Sequence, residues 1–131
     1  MNKAYAIDTS IFVRLLTGHP AQTATEVLNK LLDLQKKGVE LMVCSMVIGE
    51  AYMAIQHHYG LEKKVVRMAM LDVLTSGLLT PMDGPEVLEI LASTKGAGLL
   101  DHLIALQGEK AQMMTLTLDR KMASHSNCQK L

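Results

Sequence analysis

The stretch AYAIDTSIF, residues 4–12, decides how this chain reads. A short apolar run carrying Tyr5 and Ile7 stops at a carboxylate, Asp8, and two hydroxyls, Thr9 and Ser10. Apolar residues resume at once with Ile11, Phe12 and Val13. Asp, Thr and Ser all cap helix N-termini well, because their oxygens accept from backbone N–H groups that the first turn leaves unpaired. A strand running into a capped helix accounts for the stretch by itself. It also sets an acid just past the carboxyl end of a strand, and that position gains meaning only if other acids occupy equivalent ones.

Downstream, short apolar runs alternate with longer amphipathic ones, the pattern of βα units around a buried parallel sheet. KAYAI, VELMVC, LLTPM and QMMTLTL are the four expected strands. TSIFVRLLTG predicts a short helix closed near Gly18. In HPAQTATEVLNKLLDLQKKG, Pro20 suits the first turn, Val27, Leu28, Leu31 and Leu32 form an apolar stripe, and Gly38 ends the helix. Ser45 is the expected cap of MVIGEAYMAIQHHY, which Gly60 terminates. LEKKVVRMAMLDVLTSG follows, with Lys63, Lys64 and Arg67 on its polar side. PEVLEILAST starts at Pro85, KGAG reads as a turn, and LLDHLIALQGEKA is the last long helix. The tail RKMASHSNCQKL predicts one helical turn and then a frayed end. Four strands with intervening helices point to a doubly wound α/β domain, in which sites form beyond the carboxyl ends of the strands. Asp8 and Asp119, each following an expected strand, belong there.

Composition bounds the rest. The 131 residues predict one domain over 1–131, and 49% apolar content supplies a real core. With no Trp, one Phe and ten Met, aliphatic and thioether packing must fill it. Net charge is zero, so no broad basic face advertises nucleic acid, although a local patch is compatible with a zero sum. Cys44 and Cys128 sit in no CxxC or Cys/His ligand pattern and read as free thiols in a reducing compartment. The start MNKAYAIDTS is too short and too polar to be a secretory signal, and no run approaches the length of a membrane span. The expectation is a cytoplasmic domain with no membrane association.

Two further acids interrupt apolar faces. Glu50 stands in SMVIGEAYMAI, with Val47 and Ala54 on one side and Met46 and Met53 on the other. Asp101 stands in GAGLLDHLIAL, with Ala97, Gly98, Ile104 and Ala105 at helical spacing. An ionised carboxylate on a core-facing stripe costs several kcal/mol unless paired or bound to a cation. Other acids, such as Glu26, Asp33, Glu62 and Glu89, keep polar company and read as solvated. Asp8, Glu50, Asp101 and Asp119 therefore form a candidate set. Hard oxygen ligands of this kind suit Mg²⁺ or Mn²⁺.

AIDTSIFVRLL, SMVIGEAYMAI, GAGLLDHLIALQG and TLTLDRKM resemble, in order and spacing, the motifs of PIN-domain ribonucleases, most closely the VapC-type toxins of toxin–antitoxin pairs. The resemblance covers essentially the whole chain. It implies a Rossmann-like three-layer α/β/α sandwich with a mostly parallel central sheet. It also implies a quartet of Asp8, Glu50, Asp101 and Asp119 that binds Mg²⁺ or Mn²⁺ for RNA hydrolysis. Thr9, Ser10 and Thr117 would be supporting hydroxyls, and a small antitoxin and a homodimer are the implied partners. Leu118 stands where the family often has an aromatic, and GLLDH stands where the family often places another polar or acidic residue near the catalytic acid. Arg14, Lys95, Arg120 and Lys121 are the basic residues nearest the motifs and the candidate phosphate contacts. Gathered carboxylates should repel without metal, raising some of their pKa values.

His57 and His58, adjacent on a helix, diverge by about 100° and read as a solvated helix end. His102 faces away from Asp101. The methionines Met42, Met46, Met53, Met68 and Met70 read as core filler, with part of the set free to form a partner surface. Two other readings stand beside the nuclease: a silent PIN-fold binding or scaffold module, and another Mg²⁺ enzyme on a doubly wound sheet. A receiver-like domain would need paired acids after the first strand and a Lys after a late one, and neither is present.

Overall fold

Ala4–Ala6 forms the first strand, β1, and its apolar run stops because Asp8 caps the helix that follows, α1 (Thr9–Thr17). In this computed structural model, which describes residues 3–93 and 98–131, α1 ends at Gly18 in the left-handed region, φ +63°, where a side chain would be strained. Then come α2 (Ala21–Lys36), β2 (Glu40–Val43), α3 (Ser45–Tyr59), α4 (Lys63–Thr75), β3 (Thr80–Pro81) and α5 (Glu86–Ala92). After these lie α6 (Leu99–Lys110), β4 (Thr115–Thr117), α7 (Arg120–Ala123) and β5 (Cys128–Lys130). The fold is α/β, with a parallel sheet among helices in a Rossmann-like α/β/α arrangement.

β2 is the middle strand of the order β1-β2-β3. Ala4 stands opposite Glu40, and Met42 opposite both Ala6 and Thr80. The β1 ladder continues past its last residue, where Ile7 N donates to Met42 O at 2.9 Å, and this carries Asp8 to the carboxyl edge of the sheet. Phe12, Val43, Ile48, Met70, Val87 and Leu99 are almost wholly buried and join α1, β2, α3, α4, α5 and α6 in one core.

The structure differs from the sequence expectations in five respects. The fourth strand does not lie in the first sheet. β4 pairs in parallel with β5, Thr115 opposite Cys128, in a separate two-stranded sheet. Closing so short a loop through α7 carries little entropy cost. That leaves β1 at an edge, so Ala4, Tyr5 and Ala6 are exposed rather than interior. The tail after the helical turn is therefore ordered as β5, where Cys128 packs with Ala105 and Met122 in a small second core. Cys44, not Ser45, takes the cap position of α3, and Ser45 is buried inside its first turn. The methionines divide: Met70 is core, whereas Met46, Met53 and Met68 are exposed. Lys95, Gly96 and Ala97 of the KGAG turn lie outside the described residues, while Gly98 stands at the cap of α6.

Candidate functional site

The Asp8 carboxylate does two local jobs with one oxygen. Its Oδ1 accepts from Ile11 N at 3.2 Å, capping α1, and from Ser10 Oγ at 2.6 Å. Those two hydrogen bonds, the Ser10 hydroxyl foremost, hold the Asp8 carboxyl below its ordinary value of 3.8. The direction is opposite to the rise expected from gathered acids, because directed donors outweigh the desolvation that opposes them.

Thr9, one residue on, donates its hydroxyl to Glu50 Oε1 on α3, a partner 41 positions away in the chain. This contact joins the opening stretch to the middle of the sequence and sets two carboxylates on either side of a Thr–Ser hydroxyl pair. Glu50 is exposed, since its neighbours Met46 and Met53 turn outward with it. Its interest thus rests on Thr9, not on a cost of burial. Asp8 Oδ2 and Glu50 Oε2 have no hydrogen-bond partner among the described residues. Lys110–Glu86 is the ion pair found among those residues, so none of the four candidate acids is neutralised by a described cation.

Asp101 and Asp119 stand elsewhere. Asp101, half-buried in the first turn of α6, lines an open groove of 550 Å³ together with Tyr52, Gln56, Lys63, Lys64 and Arg67. Glu50 lines a neighbouring groove of 420 Å³, and Met53 and Leu100 border both. Asp119 caps α7, accepting from Met122 N at 3.0 Å, while Thr117 Oγ1 accepts from Asp119 N at 3.0 Å. The Thr117 hydroxyl oxygen thereby braces the backbone of that loop. Arg120 and Lys121 are exposed beside Asp119, and Arg14 turns its guanidinium toward His19 O at 3.4 Å.

Among the described residues, no three His, Cys, Asp or Glu side chains gather as a group that could hold a metal ion. The one link the hydrogen bonds make between these motifs, among those residues, runs from Thr9, the residue after Asp8, to Glu50. An all-oxygen set of two carboxylates still matches Mg²⁺, which takes one or two carboxylates and keeps water or substrate phosphate for its other positions.

Two groups escaped the sequence reading. Asp83 follows β3 as Asp8 follows β1, and it accepts a short hydrogen bond from the buried Ser45 hydroxyl. Its place just after LLTPM was the available signal. Lys63 and Lys64 read as a solvated face, and only the fold sets them across a groove from Asp101.

His102 is buried and meets His125 edge to face, ring centroids 4.4 Å apart. Burial first, then the charges of His125 and Arg67, push its imidazole below the ordinary 6.5, with Asp101 opposing. Burial also pushes the Cys128 thiol up, and the charge of Asp101 adds to it. Among the described residues no helix is long and apolar enough to cross a membrane.

The family model described as the PIN domain matches residues 5–126. No curated protein and no solved structure matches the chain.

Proposed function

The chain belongs to the PIN domain family, whose members are generally metal-dependent nucleases, and on that premise we propose that it is a metal-dependent endoribonuclease acting as the toxin of a type II toxin–antitoxin pair. The observation that carries the reading is the Thr9–Glu50 hydrogen bond. It ties Glu50 to the residue that follows Asp8 at the carboxyl edge of a parallel sheet, where such folds place their chemistry, and neither carboxylate meets a described cation. Asp8 and Glu50 would hold Mg²⁺ or Mn²⁺, which when bound supplies Lewis acidity toward a phosphodiester and acidifies water.

The remaining roles fall to the chain itself. Ser10 and the α1 N-terminus fix Asp8 and keep it ionised across the physiological range. Thr9 fixes Glu50. Asp101 and Asp119 are the further acids of the proposal, with Arg120 and Lys121 as phosphate contacts near the second of them. An antitoxin, and a second copy of the chain, are the proposed partners in the cytoplasm. The exposed apolar groove beside Glu50, lined by Met46, Met53, Leu100 and Ile104, supports them, since large apolar patches mark contact surfaces.

Asp8→Asn keeps a good capping residue, so it tests the chemistry without removing the cap. It is expected to lower the cleavage rate of a labelled RNA in Mg²⁺ by roughly a thousandfold or more, on the scale of losing a group that acts in the transition state. Glu50→Gln should follow it, and Asp101→Asn and Asp119→Asn should lose less. Saturating Mn²⁺ should raise the Tm of the unaltered chain and not that of Asp8→Asn, as binding to the folded state requires. An unchanged rate in Asp8→Asn overturns the reading. The apolar groove also supports a second reading, a catalytically silent binding module, which predicts RNA or protein binding with no Mg²⁺-dependent cleavage.

A further inference from the structure

The groove that holds Asp101 gathers positive charge. Lys63 and Lys64, in the first turn of α4, and Arg67, one turn on, form one wall. The helical repeat puts Lys63 and Arg67 on the same face. Asp101 is the one acid among its described lining residues, against three cations. Net charge over the whole chain is zero, so this is the local concentration of positive charge that a zero sum can hide.

Two helices also begin at this groove. α4 starts with its Glu62 cap making no side-chain hydrogen bond, and α6 starts at Gly98, which has no side chain to cap with. Unpaired N–H groups and the positive dipole end of each helix add to the lysines. The walls between them include the apolar surfaces of Met53 and Leu100. A cationic rim over an apolar floor is what a single nucleic-acid strand requires, phosphates on the rim and sugar or base faces on the floor.

Arg67 has other duties. Its Nη1 donates to Ser93 O and, at 3.4 Å, to Ile90 O, closing the carboxyl end of α5, and its guanidinium lies 6.0 Å from the Tyr52 ring centre. Lys63 and Lys64 are exposed and make no described ion pair. They are free to meet a ligand.

We propose that the groove between α3, α4 and the start of α6 is the track for the single-stranded RNA substrate, with Lys63 and Lys64 neutralising its phosphates as the strand passes Asp101. The inference rests on the nuclease reading for what the strand is delivered to. Its footing is separate, because the lysines and helix ends would bind phosphate whether or not cleavage follows.

The test reads binding rather than turnover. Full-length Asp8→Asn protein is titrated into a fluorescein-labelled single-stranded RNA in Mg²⁺ buffer, and anisotropy is followed over a NaCl series. Adding Lys63→Ala and Lys64→Ala is expected to weaken binding about tenfold. It should also flatten the slope of log K against log salt by about 1.4, since each phosphate neutralised on a single strand contributes about 0.7. A control pair on α2, Lys30→Ala with Lys36→Ala, should leave both readings unchanged. Circular dichroism checks that the lysine variants are folded. If affinity and salt slope are the same in the Lys63/Lys64 variant, the track is overturned. It is equally overturned if the variant loses an acidic partner protein while keeping RNA. If the unaltered chain cleaves nothing yet its RNA binding depends on these lysines, the nuclease reading falls and the track stands.

Discussion

Thr9 has one hydroxyl proton to give, and it gives it to Glu50 Oε1. On an exposed glutamate with three rotatable bonds, that single bond decides where the carboxylate points. Thr9→Val is nearly the same shape and removes only the donor. It is expected to lower Mg²⁺-dependent RNA cleavage by about 10- to 100-fold, the usual penalty for losing the partner that orients a metal ligand. Thr9→Ser should restore most of the rate. The loss should be largest at low Mg²⁺ and shrink as the ion is raised, which a general folding defect would not produce. Equal rates for Thr9→Val and the unaltered chain would remove Thr9 from the site. At this scale the sequence was informative where chemistry and position coincided. Asp8 stood out because an acid ended an apolar strand. Asp83 did not, because PMDGP around it reads as a turn and its Ser45 partner is supplied by the first turn of α3. Glu50 was singled out for a burial it does not have, and its true partner, Thr9, lies too far along the chain for periodicity to reveal.

α6 begins at the wall of the cationic groove and is met at its first turn by the segment after α7, through the contact of His102 with His125. His102 Nδ1 is buried without a hydrogen-bond partner among the described residues, so a proton added to the ring would be left without water. The folded chain thus takes up that proton less readily than the unfolded chain, whose histidines titrate near 6.5. Stability from this group is fully present above 6.5 and is lost as pH falls through the lower folded value. The metal-free Tm is expected to drop between pH 7.5 and 5.5, and His102→Gln should flatten that drop. A slope unaltered by the substitution would assign the acid sensitivity to other groups. The helices themselves were legible from their stripes and stops: α1 closes at Gly18 and α3 at Gly60, both with positive φ. β5 was not, because CQK carries no strand pattern and is specified by pairing with β4. Gly108 shows how that pairing is made possible, since a side chain there would strike Thr115 Oγ1 on β4.

At the scale of the whole molecule, the described residues form two cores of unequal size, and this follows from how the strands are paired. The class of fold was readable from alternating apolar runs and amphipathic helices, which local pattern specifies. The division of the strands into two sheets was not, because QMMTLTL has the same composition whether it lies beside β1 or beside β5. The larger core ties α1 to α6 through β2, with Phe12, Val43 and Ile48 fully buried. The smaller consists of Ala105, Met122 and Cys128 beneath the β4–β5 sheet, whose Leu116 and nearby Met113, Met114 and Leu118 are exposed. Few buried contacts and an exposed ladder mean a low free energy of local opening. Native-state hydrogen exchange is therefore expected to divide the chain. The amide of Ile7, bonded to Met42 O under the large core, should be protected at least about tenfold more than those of Thr115, bonded to Asn127 O, and Leu131, bonded to Thr117 O. Met122→Ala removes most of the side chain from the small core. It should release Thr115 and Leu131 further while leaving Ile7 nearly unchanged, because the two sheets share no strand. Uniform protection, or an equal loss at Ile7, would mean that Asp8 and Asp119 sit in one cooperative unit. It would also mean that the loop holding Asp119 cannot move independently of the Asp8–Glu50 pair.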